Sequence, residues 1–445
     1  MRAPSARPFS RRRALALAVG SVVAGATACA RNRSTPETEG SPSRSPGPSG
    51  PALRRGEVLD ARALGAVGDG VTDDGPALRR ALARANAVQG TLYLPAATYY
   101  VRSAPPLAPT TGVTLAGDPG RTRVRVDAAA PGASTEFCRP DGPGITLDGL
   151  TVERGGDFPA VLFPVGSTRG LTLSRMTLVG NSVVDSDNYC HGLQLGTADG
   201  ASISGLRIVG CLFDSLTYGL FQTNTSTARV TDIAATDTVF RGGTNTDLEF
   251  NGPSGAITGV RVERCTFTDN ASPGFGVGFA LVEGAAVRDC TFTNYSIEGV
   301  HVEDYSSDVV IERNVFTACG LAMHSHVQVV SGASNVRVIG NTFRAGMNTT
   351  AISCVNALPG GVGVTGSGRP ISAPSAVTVA DNDFECSPVV SAVYLAEVAG
   401  GVITGNRISG PGASPVNGVT GPSRVFTLLG DGTRVEANVI GGRAY

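Results

Sequence analysis

One short pattern recurs through most of the chain: apolar, any residue, apolar, then Asn or Cys, any residue, and Phe or Ile. It reads "VRVERCTF" at 260–267, "AVRDCTF" at 286–292, "VVIERNVF" at 309–316, "VRVIGNTF" at 336–343, "VTVADNDF" at 377–384 and "VITGNRI" at 402–408. The closing apolar residue falls at Phe213, Phe240, Phe267, Phe292, Phe316, Phe343, Phe384, Ile408 and Ile440, in steps of 27, 27, 25, 24, 27, 41, 24 and 32 residues. Most steps suit one turn of three short strands, and the long ones imply loops near 354–374 and 409–423. Period-2 alternation between Gly, Asn and Ser turns favours strands over helices. Such a repeat predicts a solenoid whose units contact only their neighbours. Leu147 and Leu173 extend it upstream, to about ten coils.

Residues at one position of successive coils stack ~4.8 Å apart. Asn314, Asn341, Asn382, Asn406 and Asn438 would therefore form an inner ladder, with Cys211, Cys265 and Cys290 at the same position in earlier coils. That placement favours buried free thiols for these three. Cys138, Cys190, Cys319, Cys354 and Cys386 stay open between free and bridged. No pair has zinc-ligand spacing, so no metal is expected.

The entry to the repeats is "LDARALGAVGDGVTDDGPALRRALARA" from Leu59 to Ala85, then "GTLYLPAATYYV" from Gly90 to Val101. Gly68-Asp69-Gly70 suits a tight turn, and Asp73 or Asp74 suits the cap of a helix with Pro76 in its first turn. Ala77, Leu78, Ala81, Leu82 and Ala85 form an apolar helical stripe. This block resembles the entry segment of pectate-lyase-like right-handed β-helices. The resemblance implies an all-β chain, a single-stranded right-handed parallel β-helix with a short N-terminal capping helix covering its open end. Asp69, Asp73 and Asp74 read as turn and cap residues rather than an acidic site.

Ahead of this block, Ser10 to Cys29 has a basic start, a short weakly apolar stretch and small residues before a Cys. Residues 1–28 read as an export signal. Arg11-Arg12-Arg13 resembles a twin-arginine signal, which exports folded proteins. Ala26-Thr27-Ala28-Cys29 resembles a lipobox, implying a lipid on Cys29; the other reading is a plain cleaved signal. Residues 29–56, rich in Ser, Pro and Gly, read as a disordered tether, leaving 57–445 for the β-helix. The chain would be exported, then held on the outer side of the membrane or secreted, as a monomer. The net charge is −1, and −6 once the five Arg of residues 1–28 are set aside, so no general attraction to nucleic acid is expected.

Each coil carries a further strand after its Phe: "HGLQLG" (191–196), "YGLFQT" (218–223), "TDLEFN" (246–251), "FGVGFA" (275–280), "EGVHVED" (298–304), "SHVQVV" (325–330), "TAISCVN" (350–356) and "SAVYLAE" (391–397). Strict alternation turns Leu248 and Phe250 inward and Asp247 and Glu249 outward. The same rule gives an outer ladder of Gln194, Phe221, Glu249, Gly278, His301, Gln328, Ser353 and Tyr394. His191, Tyr218, Asp247, Glu298 and either His324 or His326 flank it. Gly276 and Gly278 would leave a dent between an acidic pair and a Glu/His pair. All four histidines of the chain fall on or beside these strands.

That concentration marks a candidate site, although each residue alone also suits a solvated strand face. Asp247, Glu249, Glu298 and His301 are the candidate catalytic residues. His191, Gln194, Tyr218, Phe221, Glu303, His324, His326, Gln328 and Tyr394 are candidate substrate contacts. Two outward carboxylates can divide into acid and base, and inverting glycosidases hold such a pair ~6.5–9.5 Å apart. Within the superfamily the nearest resemblance is to polygalacturonases, through Asp247. The chain has Thr246-Asp247 where they have paired Asp; its Cys190-His191-Gly192 precedes rather than follows, and it has no Lys. Hydrolysis of an extracellular polysaccharide without a cofactor is the first reading. A polysaccharide lyase or epimerase is the second, with Ca²⁺ held by Asp247, Glu249, Glu298, Glu303 and Asp304 and His301 or Tyr218 as base. A non-catalytic glycan-binding solenoid is the third, with Phe221, Phe275, Tyr295 and Tyr394 as stacking residues.

Overall fold

The structure is a computed structural model. It describes residues 54–445 except 103, 129, 131–133, 185, 223–225, 254, 271, 273, 321–324, 345–352, 387–390, 411–424, 430 and 431. The export signal, Cys29, most of the tether, His324 and nearly all of the 409–423 loop lie outside the described residues. Among the described residues the Gly56 amide donates to the Val88 carbonyl at 3.0 Å.

The body is a right-handed parallel β-helix. A typical coil runs Leu248–Asn251, Ile257–Glu263, Thr266–Asn270 and then Val277–Ala280 of the next coil. Each strand pairs in parallel with its counterpart one coil away. Described strands form sheets of sixteen, fifteen and eleven, so there are about twelve turns rather than ten. The eleven-stranded groove sheet carries the candidate site.

Two interior ladders fix the register. Ring centroids in the Phe213 to Phe384 stack lie 4.6–5.0 Å apart, close to the strand spacing. The Asn ladder forms as expected at the tight bend between the other two sheets. The Asn341 side-chain amide donates to the Ile311 carbonyl at 2.9 Å, and its Oδ1 accepts from the Asn314 backbone amide at 2.9 Å. Asn314, Asn382, Asn406 and Asn438 repeat this contact to a carbonyl of the preceding coil. Each bend needs such a group because its backbone turns through a left-handed residue, such as Arg313 (φ 55°) or Asp381 (φ 55°). All eight cysteines from Cys138 to Cys386 are buried and free.

The helix spans Gly75–Val88 and buries Ala77, Leu78, Ala81, Leu82 and Ala85 against the first coils. The aspartates before it are structural. Asp74 occupies the N-cap position without a side-chain cap; its carboxylate instead accepts from the Val67 amide at 2.6 Å and the Gly68 amide at 3.2 Å. Asp69 holds the Val71 and Thr72 amides, and Asp73 holds those of Gly75 and Arg102.

Candidate active site on the groove sheet

Groove strands do not alternate strictly from their first residue. Before Leu248–Asn251 the chain turns a corner at Asp247, so Asp247 and Leu248 both face inward and Glu249 is the next residue out. The same step recurs at Gly276–Val277 and Gly299–Val300, where a Cβ added to either glycine would meet the Phe stack at 2.8–3.0 Å. Pairing of neighbouring strands gives the outer row as Gln194, Phe221, Glu249, Gly278, His301, Gln328, Asn356 and Tyr394. Asn356 replaces Ser353, which instead pairs with Ser325 and Ser391 at the strand starts.

This corner corrects the expectation for Asp247. It is 4% exposed, and its carboxylate accepts a hydrogen bond from the buried Tyr295 hydroxyl. Burial raises its pKa to about 7, against the opposing pull of hydrogen bonds from Tyr295 and Asn270. Asp247 and Glu249 therefore do not form an outward pair, and Tyr295 is an interior anchor rather than a stacking surface. His326 is corrected for the same reason. It occupies the corner position of its coil, is fully buried, and stacks on Phe343 at 5.9 Å. Burial depresses its pKa to about 3, so it is a neutral core residue and not a substrate contact.

Four expected residues do converge. His301 Nε2 lies 3.3 Å from Glu303 Oε2, and its Nδ1 lies 3.6 Å from Glu298 Oε2. The Phe275 ring stacks on the imidazole at 4.2 Å. Burial alone would lower the His301 pKa, but Glu303 and Glu298 outweigh it and raise it to about 10. His301 is therefore an imidazolium between two carboxylates at neutral pH. Glu249 stands two rungs away, ~9.5 Å along the solenoid axis. It is partly exposed, and its carboxyl leans over Gly278. A Cβ at Gly278 would come within 2.9 Å of Glu249 Oε2 and 3.2 Å of the Phe275 ring. The expected dent is thus filled by Glu249 and Phe275, and Gly276 faces inward. Burial, followed by the charge of Glu303, raises the Glu249 pKa to about 7; Thr246 and His301 pull it back.

Beside Glu249 lies an aromatic platform. Tyr218 and Phe221 pack at 4.4 Å, His191 meets them at 5.1 and 5.0 Å, and Tyr189 covers His191 at 4.7 Å. Burial lowers the His191 pKa to about 4, so it is neutral. Its Nδ1 lies 3.3 Å from Gln194 Oε1. On the other side, residues 359–374 pack against Asp304 and Tyr305, which follow Glu303 in the chain. Asp304 accepts from the Ser367 hydroxyl at 2.8 Å, and Arg369 lies over the Tyr305 ring at 5.1 Å. Gln328 is nearly buried, and Tyr394 sits three rungs beyond His301, apart from the cluster.

Sequence reasoning missed Tyr189, Asn356 and the Asp247–Tyr295 contact. Tyr189 carried a usable signal, since it precedes a strand that opens with Cys190-His191. Among the described residues no group of three or more His, Cys, Asp or Glu side chains is gathered to hold a metal ion. Chemically the arrangement offers one carboxyl that titrates near neutrality, a second fixed by an imidazolium, and a flat neutral surface beside them.

Residues 191–384 match the family model described as right handed beta helix region. Sequence comparison with curated proteins finds no match. Among solved structures, the mannuronan C-5 epimerase AlgE6 A-module of Azotobacter vinelandii aligns over 86% of this chain and 98% of its own, at 18% identity and TM-score 0.53. The catalytic unit of the GH87 α-1,3-glucanase of Streptomyces thermodiastaticus aligns over 87% and 71%, at 17% identity and TM-score 0.52. The tailspike protein of E. coli bacteriophage HK620, solved with a pentasaccharide, aligns over 86% and 67%, at 14% identity and TM-score 0.54. At these identities the likeness is one of fold.

Proposed function

From a chain with the pectate-lyase-like right-handed parallel β-helix fold, we propose a polysaccharide-acting enzyme that hydrolyses glycosidic bonds along the groove sheet. The observation that carries this reading is Glu249, a groove carboxyl that titrates at about 7 beside an aromatic platform. A general acid works best with a pKa near the working pH. Glu249 protonates the leaving oxygen, and Glu303, held by His301, activates water. Glu303 lies two rungs from Glu249 and two residues further along its strand, ~12 Å between Cα atoms, and its charge reaches the Glu249 carboxyl across the groove. Tyr218 and Phe221 offer the flat faces on which sugar rings stack. The AlgE6 module, the glucanase and the tailspike support a polysaccharide as substrate by their names alone.

A glycan panel including mannuronan and α-1,3-glucan tests this, with new reducing ends and the absorbance of unsaturated products read together, with and without a chelator. New reducing ends without unsaturated product support hydrolysis. Unsaturated or epimerised product would move the assignment to the lyase and epimerase class. Binding with no product would leave a glycan-binding solenoid.

The same reading places the protein outside the membrane, exported by a twin-arginine signal and anchored through a lipid on Cys29. Cys29→Ala is expected to release the protein or stop its processing. Unchanged processing and membrane association would remove the anchor.

A further inference from the structure

Basic residues are distributed unevenly over the three sheets. Strands of the sixteen- and fifteen-stranded sheets carry arginines along their length, among them Arg123, Arg207, Arg261, Arg288, Arg337 and Arg407. The eleven described groove strands carry none, and the chain has no Lys. The undescribed residues beyond position 53 add one Arg, Arg424, just before the last groove strand in the chain. That strand, Phe426–Leu429, is six rungs from the strand of Glu249, ~29 Å. Guanidiniums next to the groove strands are engaged elsewhere. Arg139 meets both Glu136 oxygens at 2.7 Å, and Arg369 lies over the Tyr305 ring at 5.1 Å. Arg154 is fully buried and donates to four backbone carbonyls.

What the groove presents at the candidate site is acidic or neutral. Glu249 and Glu303 are partly exposed there. The imidazolium of His301 has a carboxylate at each ring nitrogen, Glu303 at 3.3 Å and Glu298 at 3.6 Å. The platform of Tyr218, Phe221 and neutral His191 adds no charge. A polyuronate brings one carboxylate per sugar. Laid along this row, its carboxylates would meet Glu249 and Glu303 with no free cation to receive them. Like charges brought together across an interface select against a partner. Removing the C5 proton of a uronate also calls for a positive group where charge develops, and His301 is already flanked on both sides. Hydrolysis of a neutral sugar asks only for an acid and a base.

We propose that the groove selects an uncharged glycan, built of neutral hexoses or N-acetylhexosamines, and rejects polyuronates. The proposal rests on the polysaccharide reading above and names the substrate class within it.

The test uses the full chain and hexasaccharides matched in linkage but not in charge. Mannuronan and polygalacturonate are set against their carboxyl-reduced forms, and chitosan against its N-acetylated form, with α-1,3-glucan as a further neutral chain. Affinity is read by calorimetric titration at low and high salt, with and without calcium. The glycan that binds is expected to be uncharged, to bind at least about tenfold more tightly than its charged counterpart, and to keep its affinity within about twofold as salt is raised. Gln194→Arg places a cation on the outer row, two rungs from Glu249. It is expected to raise polyuronate affinity about three- to tenfold at low salt, a gain that high salt removes. No gain would show that groove charge does not set the choice. Wild type binding a polyuronate as tightly as its reduced form, with or without calcium, overturns the proposal and leaves the polysaccharide reading standing. Tighter binding of chitosan than of its N-acetylated form does the same, by making the ligand a cation. If no panel glycan binds wild type, both readings fall.

Discussion

Glu249, Asp247 and His301 all hold protons more tightly in the fold than in the unfolded chain, for different reasons. For the carboxyls, burial disfavours the charged form, raising Glu249 from 4.5 and Asp247 from 3.8 to about 7. For His301, flanking carboxylates win over burial and raise it from 6.5 to about 10. Stability falls with pH wherever the native state binds more protons than the unfolded one. The carboxyl contributions are therefore complete below the unfolded values and lost as pH climbs through about 7. The His301 contribution is lost between 6.5 and about 10. His191 and His326, held neutral in the fold, oppose the carboxyls below the unfolded value of 6.5, so calorimetry is expected to show Tm nearly level from about pH 5 to about pH 6 and declining from there to about pH 10. Glu249→Gln should flatten the acidic half of that decline. A Tm that rises over the same range would contradict these protonation states. In turnover, Glu249→Gln and Glu303→Gln are each expected to cost ~10²–10⁴ with the fold intact. Asp247→Asn should act through its corner, lowering Tm as the Tyr295 contact changes. An Asp247→Asn enzyme with wild-type Tm but lost turnover would return Asp247 to the acid–base machinery.

At the scale of the strand, the corner residue decides what each groove strand presents. Gly276 shows how tight that corner is: a Cβ there would stand 2.6 Å from the Gly299 carbonyl oxygen and 2.8 Å from the Phe292 ring. Gly276→Ala is expected to destabilise by about 1–3 kcal/mol, the usual cost of overpacking, measured by denaturant titration. Asn341→Leu at the opposite bend leaves the Ile311 carbonyl and the Asn314 amide without their partner and should cost ~1–3 kcal/mol. Wild-type stability in either variant would mean that the register is wrong at that bend. These two bends also explain what could be read beforehand. The Asn and Phe positions were legible because one residue type repeats in the interior, where shape leaves little choice. The groove corner was not, because its occupants are Gly192, Gly219, Asp247, Gly276, Gly299 and His326. A residue that needs only to fit around a turn leaves no common letter. Strict alternation therefore misplaced Asp247 and His326, yet found Glu249 and His301, which lie past the corner.

For the whole molecule, the eight buried cysteines connect the fold to its proposed route of export. A solenoid puts them on interior rows at Cys211, Cys265 and Cys290, or at other fully enclosed positions such as Cys138 and Cys319. Burial raises the thiols of Cys190 and Cys319 to about 12, so almost no thiolate exists at neutral pH. Only Cys265 is shifted down, by a hydrogen bond from Cys290, and it remains 1% exposed. A chain folded before it leaves a reducing compartment keeps such thiols free, because packing shuts out the oxidant. A chain that crosses unfolded meets an oxidising compartment with all eight exposed. The measurement is a thiol count on protein isolated from its exported location, using an aromatic disulfide reagent before and after denaturation. Twin-arginine export predicts no fast reaction in the native state and eight thiols once unfolded. Fewer than eight after unfolding would show that disulfides formed outside, and the folded-export reading would fall.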